Sequence, residues 1–208
     1  MKKTINKGLY LVVDPSMELS LLLERLRQAL GEGIVVVQIW DNFTSEEKTR
    51  QICTTIRDVC HQEGIPVLLN NRWDIAVTLG MDGVHFDEIP ADWKQIQASC
   101  ANDMLLGITL NNDMELASWA VEQGLDYVSF CSMFPSETAS SCDLVALDTV
   151  RTLTRRYAIP VFLAGGIRLN NLDELNELDY HGIAVVSGVM GAENPAEAVR
   201  LYNEKIKK

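Results

Sequence analysis

No run of 18 or more apolar residues occurs in this chain of 208, and no basic stretch opening onto an apolar leader begins it. A helical membrane span and export are therefore not expected, and the expected location is the cytoplasm. Basic residues are short too: 18 Lys and Arg face 29 Asp and Glu, a formal net charge of −11. A phosphate backbone wants a basic stripe, so nucleic acid is not an expected partner. The acidity reads as solubility, and it leaves room for a locally positive pocket that takes a small phosphorylated ligand. The five cysteines (53, 60, 100, 131 and 142) form no CxxC pair and no metal-ligand spacing. Cys53 and Cys60, seven apart on a predicted helix, read as one buried face in a reducing compartment. No linker or low-complexity tract divides residues 1–208, which read as one domain with enough hydrophobic residues (47%) for a full core.

What is present is an alternation. Gly8–Asp14 reads as a first strand and Met17–Glu32 as its helix, with leucines at helical spacing. Strands are predicted next at Ile34–Asp41, Ile65–Asn71, Gly83–Asp87, Met104–Leu110, Tyr127–Met133, Val161–Ile167 and Ile183–Gly188. Helices are predicted from Thr44 to Glu63, then over Trp73–Leu79, Ala91–Cys100, Met114–Gln123, Val145–Tyr157, Asn171–Leu178 and Pro195–Lys205. Thr44 followed by Glu47 has the spacing of a capping box. Eight strand–helix pairs at this cadence predict an α/β fold, a single (β/α)8 TIM barrel, over an open doubly wound sheet with fewer strands.

The last two strands end abruptly, in Gly165-Gly166 and in Ser187-Gly188. In such barrels the loops after strands seven and eight form the common phosphate site, with backbone amides aimed at the anion. The other C-terminal strand ends supply the remaining candidates. Gln38, Trp40 and Asn42 share a face after strand two, followed by Asn70-Asn71-Arg72, His85-Phe86-Asp87-Glu88, and Thr109 with Asn111. Strand six contributes Ser129 and Cys131, then Ser136 and Thr138 in a Ser/Thr-rich stretch, Phe134–Leu144, where a mobile loop is expected at the mouth. Arg168 follows the glycine pair, either supplementing the phosphate site or bridging to Asp173 or Glu174; Asn171 reads as a helix N-cap. His85 reads first as a hydrogen-bonded structural histidine and second as a catalytic group, while His61 and His181 read as surface residues.

The order of these segments resembles the thiamine phosphate synthase superfamily, which includes the TenI-type thiazole tautomerases. The likeness runs from Leu9-Tyr10-Leu11-Val12 through Gly83-Val84-His85, Asp126-Tyr127-Val128, Phe134-Pro135 and Gly165-Gly166-Ile167 to Val185-Val186-Ser187. It implies a synthase joining a pyrimidine diphosphate to a thiazole phosphate with Mg2+ and release of pyrophosphate, or a tautomerase shifting a double bond in a carboxylated thiazole phosphate. By resemblance, Gly166, Val186, Ser187 and Gly188 hold phosphate with Arg168 beside them. Gln38, Asn70, Thr109, Ser136 and Thr138 meet the ligand, and Trp40 either stacks on a ring or plugs the mouth.

The chain departs from the synthase pattern in the diphosphate half. Gln-x-Arg-x-Lys on strand two is Gln38-Ile39-Trp40-Asp41-Asn42, Asn-Asp on strand three is Asn70-Asn71, and Thr-x-Thr-Lys is Ser136-Glu137-Thr138-Ala139. Asp87 or Glu88 is left to serve Mg2+, and the tautomerase histidine corresponds to Asn111. Two other classes therefore stand beside the synthase. One is a non-catalytic or regulatory phosphate-binding barrel. The other is an isomerase of another phosphorylated metabolite using Asp41, Glu88 or His85. Oligomeric state stays open, a homo-oligomer included.

Overall fold

A computed structural model describes residues 4–100, 103–136 and 143–206. Eight parallel strands close into a barrel in sequence order: β1 (Gly8–Val13), β2 (Ile34–Ile39), β3 (Val67–Asn70), β4 (Gly83–Phe86), β5 (Leu105–Leu110), β6 (Tyr127–Phe130), β7 (Val161–Ala164) and β8 (Gly182–Val185). The ring closes through β1, which pairs with both β2 and β8. Helices α1 (Leu19–Leu30), α2 (Glu46–Gln62), α3 (Trp73–Leu79), α4 (Trp93–Ser99), α5 (Met114–Glu122), α6 (Leu147–Arg156), α7 (Ser187–Met190) and α8 (Pro195–Lys205) separate or follow them.

Strands covered on both faces read as unbroken apolar runs, and here the two faces do different work. Leu9, Leu11 and Val13 point outward into the layer shared with the helices, where Leu22, Leu26 and Ile56 are fully buried. Tyr10, Val36, Leu68, Leu105, Tyr127 and Phe162 point inward and fill the barrel. Gly107 makes room for one of them, since a Cβ there would lie 2.2 Å from the Tyr127 ring. Tyr10, Tyr127 and Phe162 meet at centroid distances of 5.4 to 6.0 Å and form the floor beneath the C-terminal mouth.

Three local expectations are corrected. The helix expected over Asn171–Leu178 is a single 3-10 turn, Leu172–Leu175. Leu172, Leu175 and Leu178 are all buried, and a spacing of three suits three residues per turn better than 3.6. The Thr44–Glu47 capping box does not form. Helix α2 begins one residue later, after Ser45, which puts Lys48 rather than Glu47 in the third helical position. Strand eight stops at Val185, and Ser187 already opens α7. His61 and His181 do lie at the surface, exposed and half-buried respectively, and each has a partner: His61 Nε2 lies 2.7 Å from Asp82 Oδ2, and His181 Nε2 donates to the Ile5 carbonyl at 2.9 Å.

Candidate functional site

A cavity of about 410 Å³ opens at the C-terminal ends of the strands. Its floor is a chain of buried polar groups. Tyr10 donates its hydroxyl proton to Gln38 Oε1 at 2.5 Å, and the Tyr10 and Tyr127 oxygens lie 3.0 Å apart. Tyr127 is 2.8 Å from His85 Nδ1, and His85 Nε2 is 2.8 Å from Thr109 Oγ1. Once Tyr10 donates to Gln38, Tyr127 donates to Tyr10 and His85 Nδ1–H to Tyr127, while Nε2 accepts from the Thr109 hydroxyl if the ring is neutral and donates to it if protonated. The resident form is the neutral imidazole. Burial supplies it, pushing the His85 pKa down to about 4 against a weaker opposing pull from Asp87. Burial also pushes the Tyr10 and Tyr127 hydroxyls up, so both keep their protons.

The β7/β8 side is built from main chain. Gly166 has φ 64, a left-handed conformation, and a Cβ there would lie 2.5 Å from the Pro135 carbonyl oxygen. Asn171 holds this loop: its side chain accepts from Arg168 N–H at 2.8 Å and donates to the Gly166 carbonyl at 3.0 Å. It therefore braces the glycine turn rather than capping a helix. Tyr202 of α8 donates to the Ile167 carbonyl at 3.2 Å from behind. The amides of Ser187 and Gly188 belong to the first turn of α7 and have no intrahelical carbonyl to bond. Arg168 is exposed and lines the cavity. The bridge to Asp173 is not made, because Asp173 takes Lys205 at 2.8 Å.

The opposite rim is amide and carboxylate. Asn70, buried at the end of β3, donates to the His85 carbonyl and to Asp87 Oδ1, both at 3.1 Å. Asn71 donates to Asp87 Oδ2 at 2.8 Å and accepts from Asp87 N–H at 3.0 Å. Arg72 makes a two-pronged bond to Glu46, each contact 2.9 Å, and lies 3.6 Å from Asp41. Desolvation raises the Asp41 pKa, and Arg72 partly offsets it.

The structure thus gathers Gln38, Trp40, Asn70, His85, Thr109, Ser136, Gly166, Arg168, Val186, Ser187 and Gly188 around one cavity. Asp41 and Glu88 lie outside its lining, and Thr138 lies outside the described residues. Sequence reasoning missed Tyr10 and Tyr127, which in sequence are ordinary members of apolar strands. It also missed the bracing role of Asn171. The available signal was parity: Tyr10 is two residues before Val12 on the inward face of β1, and Tyr127 two before Ser129 on β6.

A barrel with a left-handed glycine turn after β7 and a polar floor can be set beside known proteins. The family model described as thiamine monophosphate synthase matches residues 9–189. The chain belongs to the thiamine monophosphate synthase family. It is 30% identical over 195 residues to the thiamine-phosphate synthase of Ruminiclostridium cellulolyticum, covering 93% of this chain and 92% of that protein. A thiamine-phosphate synthase of Clostridioides difficile is 29% identical over 199 residues, covering 95% and 94%. Among solved structures, the thiamine phosphate pyrophosphorylase from Pyrococcus furiosus superposes with a TM-score of 0.82 at 25% identity, covering 96% of this chain and 95% of that one. Among the described residues of this family member, no helix is long and apolar enough to cross a membrane.

Proposed function

We propose that this chain binds the monophosphate ester of a nitrogen heterocycle, of the thiazole phosphate class, and that it does not release pyrophosphate at the rate of a synthase. Phosphate sits against the Gly166 turn and the Val186, Ser187 and Gly188 amides, with Arg168 beside it. Gln38, Asn70 and Thr109 meet the ring, Ser136 meets a substituent, and Trp40 is the stacking wall. The carrying observation is the charge of the cavity. Among its described lining residues Arg168 is the one cation, on the phosphate side, and Asp87 the one carboxylate, across from it.

A departing diphosphate needs several donors and cations where its charge develops, each worth roughly 2–4 kcal/mol in the transition state. The family pattern puts Arg and Lys after strand two, where this chain carries Trp40 and Asn42. The residues also fit Mg2+ poorly. That ion wants one or two carboxylates free to bind beside the substrate phosphates. Asp87 is the one carboxylate in the described lining, Asn71 stands where the family pattern has Asp, and Glu88 lies outside the lining. No group of three or more His, Cys, Asp or Glu suited to a metal occurs among the described residues. An isomerase built on Asp41 or Glu88 is not supported either, given where those residues sit.

The test mixes the protein with the pyrimidine diphosphate, the thiazole phosphate and Mg2+, follows thiamine phosphate by fluorescence after oxidation, and measures melting temperature with the thiazole phosphate alone. Raised melting temperature with turnover at least ~1,000-fold below an authentic synthase is expected from the missing charges. Multiple turnover at synthase rates would refute the proposal.

A further inference from the structure

Resting on that reading, we propose that Ser129 is a specificity-determining residue whose hydroxyl donates to a ring nitrogen of the ligand, and so selects nitrogen heterocycles over rings of the same shape that lack an acceptor. Ser129 stands on β6 two residues after Tyr127, a member of the inward cluster, and shares its parity. It lines the cavity yet is only 5% exposed. Among the described residues no group hydrogen-bonds its side chain. Hydroxyls so deeply buried are normally paired, and the side this one leaves open is the cavity.

Its neighbours decide what the partner must be. The register sets Ser129 beside Thr109 of β5 and Phe162 of β7. With His85 neutral, the Thr109 proton goes to Nε2 at 2.8 Å, so Thr109 offers the cavity lone pairs alone. On the other side the lining passes to Ala164 of β7 and Ala184 of β8, which carry only methyls. An N–H on the ligand therefore has Thr109 to receive it on this arc, whereas a ligand acceptor has Ser129. A ligand whose phosphate lies against the loops after β7 and β8 brings its ring over the two alanines and up to β6. A ring nitrogen with a free lone pair there satisfies the hydroxyl. A C–H in the same place covers it without a partner, and an unmade buried hydrogen bond costs more than a made one contributes.

The experiment is calorimetric titration of the full chain with hydroxyethylthiazole phosphate and with its thiophene isostere, in which C–H replaces the ring nitrogen and the phosphate arm is unchanged. The thiazole is expected to bind about tenfold or more tightly. In Ser129→Ala that ratio is expected to fall to about threefold or less, and the isostere to bind more tightly than it does to the unmodified chain, because no hydroxyl is left unpaired beneath it. A variant damaged in folding weakens both probes, so a gain for the isostere has no such origin. A ratio that persists in Ser129→Ala would overturn the assignment, since the nitrogen then has another partner. Equal affinities in the unmodified chain would also overturn it while leaving the phosphate reading standing, and that comparison needs no variant to fold. If neither probe binds, the phosphate reading and this inference fall together.

Discussion

Acid should destabilise this barrel through one buried imidazole, and the size of the effect follows from the floor geometry. His85 is 4% exposed and must be neutral to accept from Thr109 while donating to Tyr127. Its pKa in the folded chain is about 4, below the free value of 6.5. Between those two values the unfolded chain binds the extra proton, so stability is fully present above about pH 6.5 and is lost as pH falls toward 4. The whole difference corresponds to about 3 kcal/mol, of which about 2 kcal/mol is gone at pH 4.5 relative to pH 7. Carboxylates also titrate in this window, so the measurement needs a paired variant. His85→Gln can accept from Thr109 through its carbonyl and donate to Tyr127 through its amide, without titrating. Urea unfolding of both proteins at pH 7 and pH 4.5 gives the quantity as a difference of differences. The unmodified chain is expected to lose about 2 kcal/mol more than the variant on acidification. Equal losses in the two proteins would refute the neutral-imidazole relay.

Two further perturbations test other parts of the structure. Gly166→Ala places a Cβ 2.5 Å from the Pro135 carbonyl oxygen at a φ of 64, so it should cost about 1–3 kcal/mol in stability and weaken inorganic phosphate or thiazole phosphate binding at least about tenfold; calorimetry and urea unfolding read both effects. Cys53 and Cys60 are buried on α2 with thiols pushed up to about 12 by desolvation, so iodoacetamide at pH 8 should leave both unlabelled in the native chain and label both in urea, as mass spectrometry of peptides would record.

The barrel was legible because burial on both faces writes strands as continuous apolar segments, and eight of them alternate with amphipathic ones. The misread seventh helix shows where that logic weakens. Leu172, Leu175 and Leu178 sit at a spacing compatible with either an α-helix or a 3-10 turn. Four residues of structure then have too little sequence to decide between them. The turn after β7 was legible for a related reason. Glycine at the end of an apolar strand marks a sharp turn or a close backbone approach, and Gly166 adopts a left-handed φ of 64.

Of the polar floor, His85 was legible as a hydrogen-bonded strand histidine, but its tyrosine partners were not, because tyrosine inside a strand looks like packing until its partners are known. Tyr10 and Tyr127 are 117 residues apart and His85 stands between them in sequence, so nothing local announces that the three touch. Barrel closure creates the contact: inward positions from β1, β4, β5 and β6 converge at one level and must satisfy one another away from water. The same convergence shows how an acidic protein can leave room for the proposed anion site. Main-chain groups and Arg168 line the cavity after β7 and β8, while the carboxylates nearest the mouth are engaged by Arg72 or clamped by Asn70 and Asn71. Net charge therefore says little about what this cavity accepts.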